Sequence, residues 1–364
     1  MSRSFKVTGA GPLVTTLAVS DGIGRAAMIR LAFLAGAFLA CAAVAAAAPP
    51  AESATLYHLE ASIPLADGFW DIATYDPEHD RVLIGRGGAA SVVDLATRQA
   101  RDIGEIQRGH AALAIPGTNE IAVTSGQDNT LRLLDAGDGH EIARVPVGEN
   151  PDAALWDPAS HQVLVMNAKS GSVSQVDPAA AKVVRTIAVK PALEFGTIAG
   201  PGMLAINDED LSELELVDLK HGKALAPVPL TGCEHPTGLA ADSAERLTLS
   251  ACANGVAALV DVSSRKVIQL VPIGQGPDTA LFDAGRHRFL VPCGRSGTLS
   301  VFSLSGGKLT AAGTVTTEPG ARTAALDPKT GRVFLPTAKF QPAPQGQRPA
   351  MVPGSAHLLV FGLS

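Results

Sequence analysis

The sequence predicts an all-β protein, a seven-bladed β-propeller of four-stranded antiparallel blades. Its 364 residues include 37 glycines and 25 prolines but only 18% charged residues, a composition typical of many short strands joined by turns. A phrase of roughly 42 residues recurs along the chain, and such a period is the signature of repeat architectures. No gap between the predicted strands is long enough for the helices that an α/β fold requires.

The N-terminal part of the chain is predicted to lie outside the propeller. Residues 28–54 have the pattern of a secretory signal and a short linker, with basic Arg30, an apolar run over residues 31–44 and small residues after it. Residues 1–27 show no hydrophobic period and are interpreted as an over-extended N-terminus. We therefore expect a periplasmic or secreted protein without a stable membrane span once the leader is cleaved. A retained N-terminal anchor is the alternative.

Each copy of the repeat has the same order of elements. An apolar strand ends at an Asp turn, a second apolar strand follows, and a polar turn leads to a strand that closes on Asp. The turn aspartates are Asp76, Asp157, Asp242, Asp283 and Asp327. Two degenerate copies, near residues 115–117 and 200–202, bring the number of copies to seven. A single four-stranded sheet cannot bury both of its faces, so we expect the copies to pack radially, each against the next.

The last copy ends one strand short. It offers strand segments at residues 321–326, 332–336 and 357–362, after which the sequence stops. Residues 56–63, ahead of the first inner strand, form an apolar segment with no other pairing partner. We predict that this N-terminal segment is the outermost strand of blade seven and closes a propeller of residues 55–364.

One stretch of the second copy resembles a known repeat. Residues 122–135, Ala-Val-Thr-Ser-Gly-Gln-Asp-Asn-Thr-Leu-Arg-Leu-Leu-Asp, are similar to the repeat of the YVTN β-propeller family, the YncE-like proteins. Residues 147–152 and 273–278 match the Gly-x-x-Pro connector of that family. The resemblance covers about residues 55–364 and implies the propeller fold. It implies no particular activity, because family members include exported bacterial proteins without an assigned reaction.

One face of this fold is predicted to carry the functional site. In a propeller, the loops before each innermost strand and those between the second and third strands share a face. Counting back five residues from each turn gives an inner ring of Asp71, His110, Asp152, Thr237, Asp278 and Arg322, with Gly196 in the irregular fourth copy. Loops of the same face add Arg86, Asn129, Lys169, Asn254, Arg295 and Lys339. Ionisable groups from different blades that converge on one axis are where a ligand site is built. The alternative is a solvated channel end at which the aspartates cap local backbone N–H groups.

The ring does not by itself indicate a metal or a cofactor. Asp71, Asp152 and Asp278 are hard oxygen ligands that suit a divalent cation such as calcium. No glutamate completes the spacing of calcium-dependent lactonase propellers, however, and we therefore predict no metal site and no cofactor. His110 alone is more typical of a channel-lining donor than of a ligand or base. The Pro-rich segment 339–354 interrupts blade seven and is predicted to be a long loop on this face, either a lid or a plain connection.

The cysteines allow one internal disulfide. Cys41 lies within the leader, and Cys233, Cys252 and Cys293 remain without it. Cys233 and Cys252 are expected near the channel face and close enough to pair. Cys293 occupies the position in blade six that Cys252 has in blade five, and neighbouring blades are too far apart there for a bond.

The sequence favours a binding function over catalysis. We expect a monomeric, exported, non-enzymatic binding or scaffold protein that uses its channel face for a small-molecule ligand or an envelope protein partner. The alternatives are a lactonase-type metal-dependent hydrolase and an accessory subunit of a periplasmic redox system. The net charge of −6 argues against a nucleic-acid partner. The sequence contains no nucleophile elbow, Walker loop, dinucleotide fingerprint or Cys-x-x-Cys-His haem site.

Overall fold

The computed structural model describes residues 56–342 and 349–364, which fold into seven antiparallel sheets. These residues contain no helix, and so none that is long and apolar enough to cross a membrane. The predicted signal peptide, the over-extended start and the middle of the Pro-rich loop lie outside the described residues.

The strands follow each other blade by blade along the chain. The first strand and blades one to three comprise β1 (Tyr57–Pro64), β2 (Trp70–Asp76), β3 (Arg81–Arg86), β4 (Ala90–Asp94), β5 (Gln99–Ile103), β6 (Gly109–Ala114), β7 (Glu120–Ser125), β8 (Thr130–Asp135), β9 (Glu141–Pro146), β10 (Pro151–Asp157), β11 (Gln162–Asn167), β12 (Ser172–Asp177) and β13 (Lys182–Ala188). Blades four to seven comprise β14 (Leu193–Ile198), β15 (Met203–Asp208), β16 (Glu213–Asp218), β17 (Lys223–Ala224), β18 (Val228–Pro229), β19 (Pro236–Asp242), β20 (Leu247–Cys252), β21 (Val256–Asp261), β22 (Lys266–Pro272), β23 (Leu281–Asp283), β24 (Arg288–Cys293), β25 (Thr298–Ser305), β26 (Lys308–Thr316), β27 (Ala325–Leu326), β28 (Val333–Thr337) and β29 (His357–Leu363).

The ring is closed by the N-terminal strand, as predicted. Blade seven has the order β27-β28-β29-β1, with β1 antiparallel to β29 and Tyr57 opposite Leu363. The inner strands of successive blades contact one another in turn, and the last inner strand, β27, contacts the first, β2. Both ends of the propeller therefore belong to one sheet, so the backbone hydrogen bonds of that sheet hold the ring closed.

The hydrophobic core lies between the blades rather than at the centre. In the described chain each of the seven blade interfaces holds its own cluster of buried side chains. At the closure, Ile63 of β1 packs with Val82 and Ile84 of blade one and with Phe334 and Leu358 of blade seven. Each blade packs against a neighbouring blade on both of its faces. The inner two strands are therefore apolar on both faces, and this explains their continuous apolar runs.

Blade four departs most from the repeat. Its outer position is filled by two short strands, β17 and β18, which pair with opposite ends of β16. The inner strands of blades six and seven are also short, and in blade six Pro277 forms only an isolated bridge with Cys293. The seven-fold pattern thus persists with unequal copies.

The turn aspartates are local caps. Asp76 accepts a hydrogen bond from the backbone N–H of Glu78 at 3.0 Å, and Asp157, Asp242 and Asp327 accept the equivalent bond from the residue two positions on. These carboxylates are buried, so they replace water as partners for backbone donors of the turn. Their recurrence in the sequence therefore reports turn geometry.

Candidate ligand site at the channel mouth

The innermost strand has a β-bulge near its start in blades one to five. In blades one to five the pairing of the innermost strand skips two residues after its first bridge, as between Trp70 and Ala73 in blade one. In blades one, two, three and five the residue that follows the first bridge is the predicted ring residue. A bulge releases such a residue from the ladder and redirects its side chain, here at the channel mouth.

Strand register corrects the fourth ring position. The inner strand β14 ends at Ile198, and the N–H of Ala199 donates to the carbonyl of Met203, so Ala199 occupies the position that the turn aspartates have in other blades. Leu193 makes the first bridge, with Asp208, so Glu194 is the residue that matches Asp71. The prediction of Gly196 was wrong by two residues, because the Gly-Pro-Gly turn of this blade is shifted against the Asp turns of the others.

His110 joins three blades. Its Nδ1 lies 2.7 Å from Oδ2 of Asp71 in blade one and 3.2 Å from Oδ1 of Asp152 in blade three. Burial alone would lower the pKa of His110, but the hydrogen bond that its ring donates to Asp71 and the charge of Asp152 raise it on balance. The two carboxylates therefore favour the protonated imidazole, and its Nε2 has no hydrogen-bond partner in the described chain.

Arg322 extends this network to blades six and seven. Its Nε donates to Oδ2 of Asp278 at 2.6 Å, and its Nη2 lies 3.7 Å from Oδ1 of Asp71. Asp71 thus lies between the two cations of the ring, and a chain of charged contacts runs from Asp152 through His110, Asp71 and Arg322 to Asp278. The predicted residues of five blades are brought together as expected, and Thr237 occupies the ring position of blade five.

The other side of the ring is acidic without a matching cation. Burial, together with the charges of Asp152, Asp278, Glu209 and Asp71, raises the pKa of Glu194 to about 9. Burial is also the main reason why the pKa of Asp152 and that of Asp278 rise to about 6. Glu194 makes no ion pair with the residues that the structure describes. The site is therefore able to accept a polar group on this side and to exchange protons near neutral pH.

Neighbouring blades hold the backbone of the ring residues. The hydroxyl of Thr124 donates to the carbonyl of Asp152 at 2.8 Å, and that of Thr323 donates to the carbonyl of Asp71 at 2.8 Å. Nδ2 of buried Asn207 donates to the carbonyl of Thr237 at 3.0 Å. Each of these donors belongs to the blade beside the one it supports, so the ring is fixed by contacts between blades.

The predicted residues of the surrounding loops have other roles or lie farther out. Buried Arg86 donates to the carbonyl of Ala66 at 2.7 Å, and Asn254 donates to that of Gly232 at 3.2 Å. Asn129 accepts the backbone N–H of Asn150, and Lys169 pairs with Glu149 while remaining exposed. Lys339 is exposed and its backbone N–H donates to Ser355. Arg295, in contrast, lines a cleft beside Arg322.

One contributor was not predicted from the sequence. The ring of Phe69 lies edge-on to His110 at 6.5 Å between centroids, and the guanidinium carbon of Arg322 lies 6.0 Å from its centroid. Phe69 is 49% exposed and so offers apolar surface beside the ring. The signal was its position, two residues before Asp71, in a connector whose other copies carry glycine, alanine or a polar residue.

The disulfide lies next to this face. Cys233 and Cys252 are bonded, with their Cα atoms 5.4 Å apart, while Cys293 is free and buried. The bond ties the connector that enters blade five to the end of β20. Cys252 and Cys293 occupy equivalent positions, as expected, since each lies opposite the first residue of an inner segment.

A divalent cation fits the ring only in part. Ligand atoms of Asp71, His110 and Asp152 lie within 4.8 Å of one another, a spacing that a metal ion could bridge. However, Nδ1 of His110 is engaged with both carboxylates, and these contacts favour the protonated ring, whereas a histidine ligand must be neutral. The nearby Arg322 also competes for Asp71.

Comparisons with known proteins establish the fold and no more. No protein-family model matches the chain, and no curated protein does so significantly. A chain of the mitotic checkpoint complex crystal structure superposes with a TM-score of 0.67 at 12% identity, over 92% of this chain and 99% of that one. Hydrazine synthase from Kuenenia stuttgartiensis gives 0.61 at 12% identity, over 72% and 91%. The chain is thus a seven-bladed β-propeller, and this fold does not by itself define a function.

Proposed function

We propose that this protein is an exported, non-enzymatic binding propeller of the YVTN type that holds a small polar ligand at the mouth of its channel. Export is supported by the leader pattern of residues 28–54, and the YVTN relationship by the repeat phrase at residues 122–135. A protein partner from the cell envelope is the alternative occupant of the same face.

The convergence of the ring residues carries this proposal. Five blades contribute charged side chains that contact one another, and a sixth contributes Glu194, which has no cation beside it in the described chain. A ring that served only as a water-filled end would need no such precise inter-blade support of its backbone. A ligand with a cationic group on the Glu194 side would complete the charge balance of the ring.

The test compares two arginines of blade seven. The purified protein is examined by native mass spectrometry for a retained small molecule and by thermal shift against a panel of small polar metabolites. Arg322→Gln is expected to abolish retention and the ligand-induced shift. Arg332→Gln, which breaks the ion pair with Glu60 on the outer side of the blade, is expected to leave both unchanged. Equal behaviour of the two variants would count against the channel site.

A lactonase-type hydrolase is the second candidate, and the triple of Asp71, His110 and Asp152 is the observation that favours it. If the protein is such a hydrolase, calcium stabilises it, it turns over lactones, and Asp152→Asn abolishes this turnover. Calcium-independent stability together with absence of turnover would leave the binding function.

An accessory role in a periplasmic redox system is distinguished from small-ligand binding by the presence of a redox protein as the binding partner. Capture of the tagged protein from the envelope fraction, followed by identification of bound proteins, distinguishes this role from small-ligand binding. Co-purification of a redox protein that is lost in Arg322→Gln would favour the accessory role.

A further inference from the structure

A cleft of about 540 Å³ lies beside the ring, where blades six, seven and one meet. Small-molecule sites in proteins commonly have volumes of roughly 300–1,000 Å³. Its walls include the connector residues Phe69 and Trp70 and, from blade seven, Phe340 and Met351. The rings of Trp70 and Phe340 are 6.2 Å apart and tilted against each other. The cleft is therefore of the size and character to enclose an apolar body.

The polar side chains of the described lining are all donors. Two guanidinium groups, those of Arg295 and Arg322, reach the cleft, and none of the described lining residues carries a carboxylate. Arg322 is already paired with Asp278, but exposed Arg295 makes no ion pair in the described chain. Arg295 is therefore an unpaired cation at the cleft, and an anionic acceptor would complete its pairing.

We infer that this cleft is a second binding site, which takes a small organic anion with an aromatic or otherwise apolar body. Arg295 pairs with the anionic group, because it is the cation of the cleft without an internal partner. Phe69 and Phe340, exposed by 49% and 37%, cover the apolar body. The opposite charge preference of the adjoining acidic ring means that this site recognises a different chemical group. It does not depend on the channel ligand proposed above.

The experiment uses two dyes that differ in charge. 8-Anilino-1-naphthalenesulfonate is an aromatic anion, and N-phenyl-1-naphthylamine has the same aromatic body without the sulfonate. Trp156→Phe leaves Trp70 as the one tryptophan of the chain, since the sequence has two. Quenching of its emission then reports binding next to the cleft. We expect saturable binding of one equivalent of the anion, at least about tenfold tighter than the neutral dye, a difference of about 1.4 kcal/mol.

Three variants assign the contacts. Arg295→Gln is expected to weaken the anion about tenfold and to leave the neutral dye unchanged, whereas Phe340→Ala weakens both. Arg265→Gln, at an exposed turn between β21 and β22, is the matched control and should change neither. Circular dichroism and the melting transition of each variant verify that dye binding does not report unfolding. The inference is overturned by absence of saturable quenching, by equal affinity for the two dyes, or by an Arg295→Gln variant that binds the anion normally.

Discussion

At the scale of single residues, Glu194 is the group whose surroundings oppose its charge most strongly. It lies at the second position of β14, and burial and neighbouring carboxylates raise its pKa to about 9. In the unfolded chain the carboxyl titrates near its ordinary value. Between that value and about 9 the folded protein therefore binds one proton more than the unfolded chain, so stability falls as pH rises through this window and levels off above it.

Replacing Glu194 by Gln removes this penalty. We expect Glu194→Gln to be more stable than the wild type by roughly 1–3 kcal/mol at pH 8, a rise of several degrees in melting temperature, and to show a flatter dependence of stability on pH. Melting curves between pH 4 and pH 10 measure both effects. Glu245→Gln, at an exposed turn, is the control and should follow the wild type. A lower melting temperature of Glu194→Gln at pH 8 would contradict the assignment.

The charge state of His110 depends on Asp71. The folded pKa of His110 is raised above its unfolded value, so its contribution to stability is fully present below the unfolded pKa and is lost as pH rises through the folded one. Because Asp71 gives the closest contact, we expect Asp71→Asn to lower the pKa of His110. Titration of the imidazole nitrogen resonances of the wild type and the variant by NMR measures this change. An unchanged titration of His110 would show that Asp71 does not set its charge.

At the scale of elements, β1 is held by both its ladder and its buried side chains. Tyr57 and Ile63 are almost fully buried, and together they contribute roughly 3–6 kcal/mol from apolar burial. Deleting residues up to Pro64 is therefore expected to broaden and lower the melting transition out of proportion to the length removed. An unchanged transition would refute the closure.

The same strand should act in trans. A peptide of residues 56–64 added to the shortened protein is expected to restore the transition in a concentration-dependent way, because it can re-form the antiparallel pairing with β29. A peptide of the same composition in scrambled order is the control, since it cannot place its apolar residues at the positions of Tyr57 and Ile63. Equal rescue by both peptides would show that register is not required.

The elements that repeat were predictable from the sequence, and those that depend on unequal copies were not. The apolar runs and the turn aspartates located the blades, because burial on both faces and local capping act at every copy. Glu194 was missed because the inner strand of its blade is followed by a Gly-Pro-Gly turn that is shifted against the Asp turns, so that counting back from the turn fails by two residues. The cleft was missed because Phe69, Arg295 and Phe340 are distant in sequence, and only ring closure brings the blades that carry them together.

At the scale of the whole molecule, the closed ring allows circular permutation, in which the two ends of the propeller are joined and new ends are opened elsewhere. The N–H of Ser364 donates to the carbonyl of Leu56 at 3.3 Å, and the adjoining β29 and β1 are antiparallel. An Asn-Gly pair is the preferred two-residue hairpin turn, so inserting it between these ends should join them without strain. New ends can then be opened elsewhere in the ring.

Where the ring is opened decides whether closure survives. One permuted protein is opened between Ala179 and Ala180, in the turn before β13. Its new N-terminal end then supplies the outer strand β13 of blade three and its new C-terminal end supplies β10, β11 and β12, the arrangement of natural blade seven. Opening between Gly148 and Glu149, in the connector of blades two and three, leaves no strand shared between the two ends. Both permuted proteins carry the same linker, so they differ only in whether a strand is shared between the two ends.

We expect the protein opened within blade three to unfold at nearly the wild-type urea midpoint with one cooperative transition. The protein opened between blades should unfold at a lower midpoint, because its ring is held at the opening only by side-chain packing. Equal midpoints would mean that packing between blades, and not the shared strand, closes the propeller.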